Sequence, residues 1–127
     1  MRDRPSAADL LAIAREVLRA KLLGEVPAAL RFDALMIANA MANAEREAAA
    51  GEAPLLAERA RLARHYGERQ GTEPLQEALL RLNRRLAADI RAGRLDGNAE
   101  IERHLLATAV DAVRESNPKY LAARGID

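Results

Sequence analysis

The stretch Thr72-Glu73-Pro74-Leu75-Gln76-Glu77-Ala78-Leu79-Leu80-Arg81-Leu82-Asn83-Arg84-Arg85-Leu86-Ala87-Ala88-Asp89-Ile90-Arg91-Ala92-Gly93 decides the fold. Leu75, Leu79, Leu82, Leu86 and Ile90 step by four, three, four and four, which holds all five on a narrow stripe of one α-helix. Thr72 is placed to cap that helix, Pro74 suits its first turn, and Gly93 ends it. Arg81, Arg84, Arg85 and Arg91 take the opposite side. Burial of each stripe residue contributes roughly 1.5–3 kcal/mol, more than local propensity can oppose.

The same reading extends in both directions. Toward the N-terminus it predicts helices over 7–23, 30–50 and 53–66, and toward the C-terminus a helix over 98–116. Ser6 with Asp9 reads as an N-terminal cap, and Leu10, Ile13, Ala14 and Val17 as the inner stripe of the first helix. The second helix carries Phe32, Leu35, Met36, Ile37, Ala40 and Met41 on several sides, a pattern that predicts burial on several sides and a central place. The third has a modest apolar face of Leu55, Leu56, Leu62 and Ala63. Ile101, Leu105, Ala109, Ala112 and Val113 mark the inner face of the fifth, which Asn117-Pro118 closes. The tail 119–127 is expected on the surface, with Tyr120 and Leu121 as its anchor. The fold class is therefore all-α: a single domain, 1–127, of about five helices, with short loops making neighbours antiparallel.

Composition removes many functions. The 127 residues are 50% hydrophobic and 31% charged, which is globular and not disordered. A net charge of +1 gives no bulk field toward nucleic acid or an anionic membrane. The absence of cysteine rules out disulfides, thiolate metal sites and cysteine nucleophiles. No apolar run reaches the roughly 18 residues of a membrane span, and the N-terminus lacks a signal-peptide core, so a cytoplasmic protein is expected. Phe32, Tyr66 and Tyr120 are the only aromatics, so the core must be built from aliphatic side chains.

The polar residues offer few chemical constellations. His65 and His104 are the only histidines, neither follows a Glu by three, and HExxH is missing. No metal, no cofactor and no catalytic residue are therefore expected. Ser6 and Ser116 sit at helix ends and make no triad with His104. Glycine-rich phosphate loops are absent. The arginine side of the fourth helix could grip phosphate, but Asp89 shares it and Glu77 lies a turn away, with no aromatic interleaving. Asn39 and Asn43 share the helical face of Phe32 and Met36. Buried amides must be hydrogen-bonded. The plainer explanation is a structural bond to another helix, or to Asn83 or Thr108. The sharper one makes Asn39, Asn43, Asn83 and His104 the polar contacts of an apolar pocket.

The stretches Arg4-Pro5-Ser6-Ala7-Ala8-Asp9-Leu10-Leu11, Leu30-Arg31-Phe32-Asp33-Ala34-Leu35-Met36-Ile37-Ala38-Asn39-Ala40, Leu82-Asn83, Arg91-Ala92-Gly93-Arg94-Leu95-Asp96 and Glu115-Ser116-Asn117-Pro118-Lys119-Tyr120-Leu121 resemble an uncharacterised family of small bacterial all-helical proteins, a domain of unknown function. The resemblance implies proximity or fusion to aminoglycoside-phosphotransferase-like kinases and acyl-CoA dehydrogenases, and hence an accessory role in acyl-CoA or hydroxy-acid catabolism. It supplies no catalytic residues. The resulting expectation is a non-catalytic interaction protein whose partner is such a kinase or dehydrogenase, or a second copy in a homodimer. The interface candidates are Leu11, Leu18 and Leu22 on the first helix and Leu106 and Val110 on the fifth. The alternative is a binding module for acyl groups or acyl-CoA, with its pocket between helices.

Overall fold

Local chemistry starts each helix. In the computed structural model, which describes residues 4–69 and 71–127, Ser6 Oγ accepts from the Asp9 N–H at 3.2 Å and the Asp9 carboxylate accepts from the Ser6 N–H at 2.9 Å. This reciprocal cap opens α1, Ala7–Val17. It also holds the Asp9 carboxyl below its ordinary range, chiefly through the Ser6 backbone bond. A π-helical turn, Leu18–Leu22, extends α1, and a 3-10 turn, Ala28–Leu30, leads into α2, Arg31–Ala50. Then come α3, Ala53–Tyr66; α4, Leu75–Arg91; α5, Ala99–Ser116; and α6, Pro118–Ala123. No strand occurs among the described residues. The fold is all-α.

Two boundaries differ from expectation. Thr72 does not cap α4: the cap position is Pro74, whose backbone at φ −54° and ψ 139° is already extended and makes the turn without a side-chain bond. The tail forms α6, with Pro118 in the first turn and Leu121 buried. Asn98 does cap α5, its Oδ1 accepting from the Ile101 N–H at 3.1 Å. Gly93 does end α4. Its φ of +74° is a conformation that L side chains rarely adopt, and a Cβ there would sit 3.3 Å from Asp96 Oδ2.

The chain divides into two compact units, Met1–Gly51 and Glu52–Asp127. The first is an α1–α2 hairpin. Arg15 Nη2 meets Glu45 Oε2 at 2.9 Å, and this ion pair identifies the facing stripes. On α1 they are Ala8, Leu11, Ala12, Arg15 and Leu18, all half-buried. On α2 they include Ala34 and Ala38, both buried, whose small side chains let the helices approach closely. This corrects the inner stripe assigned to α1, because Leu10, Ile13, Ala14 and Val17 are exposed. It also corrects the burial of α2 on several sides, and with it the reason for a central place. Phe32, Leu35, Met36 and Ile37 are exposed, since within the hairpin one neighbouring helix covers one face.

In the second unit α3 packs against both α4 and α5, and α6 against α5. Leu62, Leu82, Leu86 and Ile101 form the core, with Tyr66 and Leu95 against it. The middle of the α4 stripe (Leu79, Leu82, Leu86) is buried, Leu75 is half-buried and Ile90 is exposed. On α5 the inward face is Ile101 and His104, continued by the half-buried Ala107, Thr108 and Asp111. Leu105, Ala109 and Ala112, expected inward, are exposed. The helix is turned by about one residue relative to its apolar pattern because His104 and Thr108 are bonded to α3.

Replacing Leu62, which has no exposed surface, by Ala is expected to destabilise the chain by ~2–5 kcal/mol. Phe32→Ala, at a side chain 71% exposed, is expected to stay within ~0.5 kcal/mol of the parent under dilute conditions. Urea unfolding followed by circular dichroism measures both.

Candidate functional site

Two features stand apart from ordinary helix packing: a polar seam on α3, and the apolar faces that the α1–α2 hairpin leaves in water. The seam follows helical spacing. Glu58, Arg61 and His65 lie three and four residues apart and so share one side of α3. Asn83 Nδ2 of α4 donates to Glu58 Oε1 at 2.8 Å. Arg61 Nε donates to His104 Nδ1 of α5 at 3.1 Å, and Arg61 Nη2 donates to Thr108 Oγ1 at 3.2 Å. One turn further on, His65 Nδ1 and Arg64 Nε each stand 3.9 Å from the Glu100 carboxylate. The falling α5 numbers against rising α3 numbers show the two helices running antiparallel.

His104 is the centre of this seam and is only 4% exposed. A guanidinium only donates, so the His104 Nδ1 lone pair accepts and the ring proton sits on Nε2. The imidazole is therefore neutral. Burial pushes its pKa below the ordinary value, the Arg61 charge adds to the effect, and Glu58 partly opposes it. The arrangement fastens α5 to α3 through a hydrogen bond whose acceptor is lost on protonation.

A second polar group closes the other side of α3. Tyr66 Oη donates to Asp89 Oδ2 at 2.8 Å, Arg94 Nη1 pairs with Asp89 Oδ1 at 2.7 Å, and the Arg85 guanidinium lies 4.0 Å from the Tyr66 ring centre. Burial and then the Asp89 bond push the Tyr66 hydroxyl up to about 12. On the arginine side of α4, Arg81 pairs with Glu68 at 2.9 Å and Glu73 at 3.0 Å, and Arg85 reaches Glu68 at 3.4 Å. Carboxylates thus already occupy two of the guanidinium groups a phosphate would need. The cleft beneath Arg59, Ala63, Ala78, Arg81 and Leu82 measures about 20 Å³, room for one water.

The hairpin exposes apolar side chains in ordered rows. On α1, Leu10, Ile13 and Val17 form a stripe turned away from α2, with exposures of 55%, 56% and 40%. On α2, Phe32 and Met36 form another, turned away from α1 and continued by the exposed Asn39 and the half-buried Asn43. Arg46 Nη2 donates to Asn43 Oδ1. Of the four ligand candidates, Asn83 and His104 are brought to the same side of α3, bonded one turn apart to Glu58 and Arg61. Asn39 and Asn43 lie together in the other unit. Of the interface candidates, Leu22 and Leu106 are exposed, while Leu11, Leu18 and Val110 are half-buried.

Glu58 and Arg61 were not legible as site residues, because charged side chains on a helix ordinarily face water. Their only signal is that they share the spacing of Leu62 and His65. No group of three or more potential metal ligands occurs among the described residues, and none of their helices is long and apolar enough to cross a membrane.

The neutral His104 generates a pH prediction. Between its lowered folded value and the ordinary value near 6.5, the unfolded chain binds more protons than the folded one, so stability rises with pH across that interval. The contribution is complete above the unfolded value and is lost as pH falls below it. His104→Asn places an oxygen acceptor where Nδ1 stands and cannot titrate. The parent-minus-variant stability difference, from urea melts at pH 5 to 8, is expected to shrink as the pH is lowered.

Comparison with known proteins adds the family. No curated protein and no solved structure matches the chain. The family model described as a domain of unknown function, DUF6285, matches residues 24–120, which takes in α2 to α5 and the start of α6. The chain belongs to this family.

Proposed function

We propose that the chain is a non-catalytic accessory domain that docks an enzyme through the outward stripe of α1. The partner is of the class that the family resemblance implies: a phosphotransferase-like kinase or an acyl-CoA dehydrogenase of a bacterial cytoplasm, acting in acyl-CoA or hydroxy-acid catabolism. The observation that supports this reading is the row of Leu10, Ile13 and Val17, three large apolar side chains held in water on one side of an ordered helix. Contiguous exposed apolar rows mark interaction sites more often than scattered single residues do. The polar seam supports it from another direction. Arg61 occupies His104 Nδ1 and Asn83 occupies Glu58 Oε1, so these groups bind helices to each other and leave docking to the exposed faces.

The test is recovery of tagged protein from its native host, read by mass spectrometry, with Ile13→Glu in parallel. The parent is expected to recover a kinase or dehydrogenase of the stated class, and the Ile13→Glu protein to lose it at least tenfold while His104→Asn retains it. Equal recovery by parent and Ile13→Glu would overturn the assignment of the α1 stripe.

A further inference from the structure

The outward face of α2 has a different chemistry from that of α1, and a different occupant fits it. Phe32, Met36, Asn39, Asn43 and Arg46 step by four, three, four and three, the spacing at which one helix packs against another along a seam. Phe32 is 71% and Met36 51% exposed. Ala34 and Ala38, on the other side, face α1. The α2 seam is thus a helix-packing surface without a helix on it in the α1–α2 unit.

We infer that a second copy of this chain covers it, α2 lying antiparallel on α2 about a two-fold axis near residue 41. The two amides carry the argument. Arg46 occupies Asn43 Oδ1, which leaves the Asn43 amide N–H groups to donate, while the exposed Asn39 has an Oδ1 to accept. Antiparallel pairing about residue 41 sets Asn39 of each copy against Asn43 of the other, so the donor–acceptor pair forms twice. Uncharged amides that both donate and accept make a surface complementary to itself, as an isologous interface requires. The amides also fix the direction, since in a parallel pair each residue meets itself and the Asn39–Asn43 pairs do not form. In the antiparallel pair Arg46 lies over Met36 of the other copy, its aliphatic stem on the thioether. The helix dipoles also oppose each other favourably. Phe32, Leu35, Met36 and the amides offer roughly a few hundred Å² per copy, below the ~800 Å² of a standard interface, so the dimer is weak.

The full chain has no cysteine, which makes directed cross-linking clean. Sedimentation equilibrium across a range from about 5 to 500 μM is expected to show a monomer–dimer equilibrium. Met36→Arg is expected to weaken it at least tenfold without loss of helix content, and Ile13→Glu, on the α1 stripe, to leave it unchanged. The dimer and the enzyme-docking reading can therefore fail separately. Oxidising a mixture of Met36→Cys and Arg46→Cys proteins is expected to favour the mixed disulfide over either homodimer. A monomer throughout the range, a dimer indifferent to Met36→Arg, or preferential Met36→Cys homodimers would each overturn the inference.

Discussion

The contact on which residues 52–127 depend is that of Leu62 with Leu82, Leu86 and Ile101. Three helices meet at one aliphatic cluster, and Leu62 has no surface left to water. The Glu58–Arg61 seam of α3 lies beside that point. Arg61, the residue beside Leu62, reaches His104 and Thr108, and Glu58, one turn back, reaches Asn83. The aliphatic core sets how deeply the helices approach. The seam sets their register, because a buried donor or acceptor that slips by a residue leaves its partner unsatisfied at a cost of about 1–3 kcal/mol.

The α1–α2 hairpin is built to the opposite balance. Its helices meet through alanines, the half-buried Leu11 and Leu18 and the Arg15–Glu45 ion pair, while Leu10, Ile13, Val17, Phe32 and Met36 are exposed. Two helices have a single interface between them, so a helix apolar on several sides must leave some of that surface uncovered. This geometric shortage connects the two functional readings. The α1 stripe is purely aliphatic and suits an apolar partner groove. The α2 stripe is interrupted by amides and suits its own image.

Periodicity was a sound guide to where helices lie and a weaker guide to which face is buried. The Leu79–Leu82–Leu86 stripe read correctly because apolar residues fill that face of α4 and charges fill the other. On α1, two apolar stripes compete, Leu10–Ile13–Val17 and Leu11–Leu18. The choice between them rests on Arg15 meeting Glu45, a contact 30 residues distant in the chain. On α5 the apolar pattern pointed to Leu105 and Ala109, yet His104 and Thr108 turn inward because Arg61 supplies their partner. Asn39 and Asn43 share one face with Phe32 and Met36, but Phe32, Met36 and Asn39 are exposed there and Asn43 is half-buried. Spacing identifies which residues share a face. It does not identify what lies opposite.

The central claim is that the helices of residues 7–50 lack the cover that residues 62–104 have. Amide hydrogen exchange of the dilute chain, resolved by peptide mass spectrometry, tests it most directly, since protection follows the free energy of local opening. The account predicts that α1 and α2 exchange at least a hundredfold faster than the amides around Leu82 and Leu86. Equal protection of α2 and α4 in the dilute monomer would contradict it.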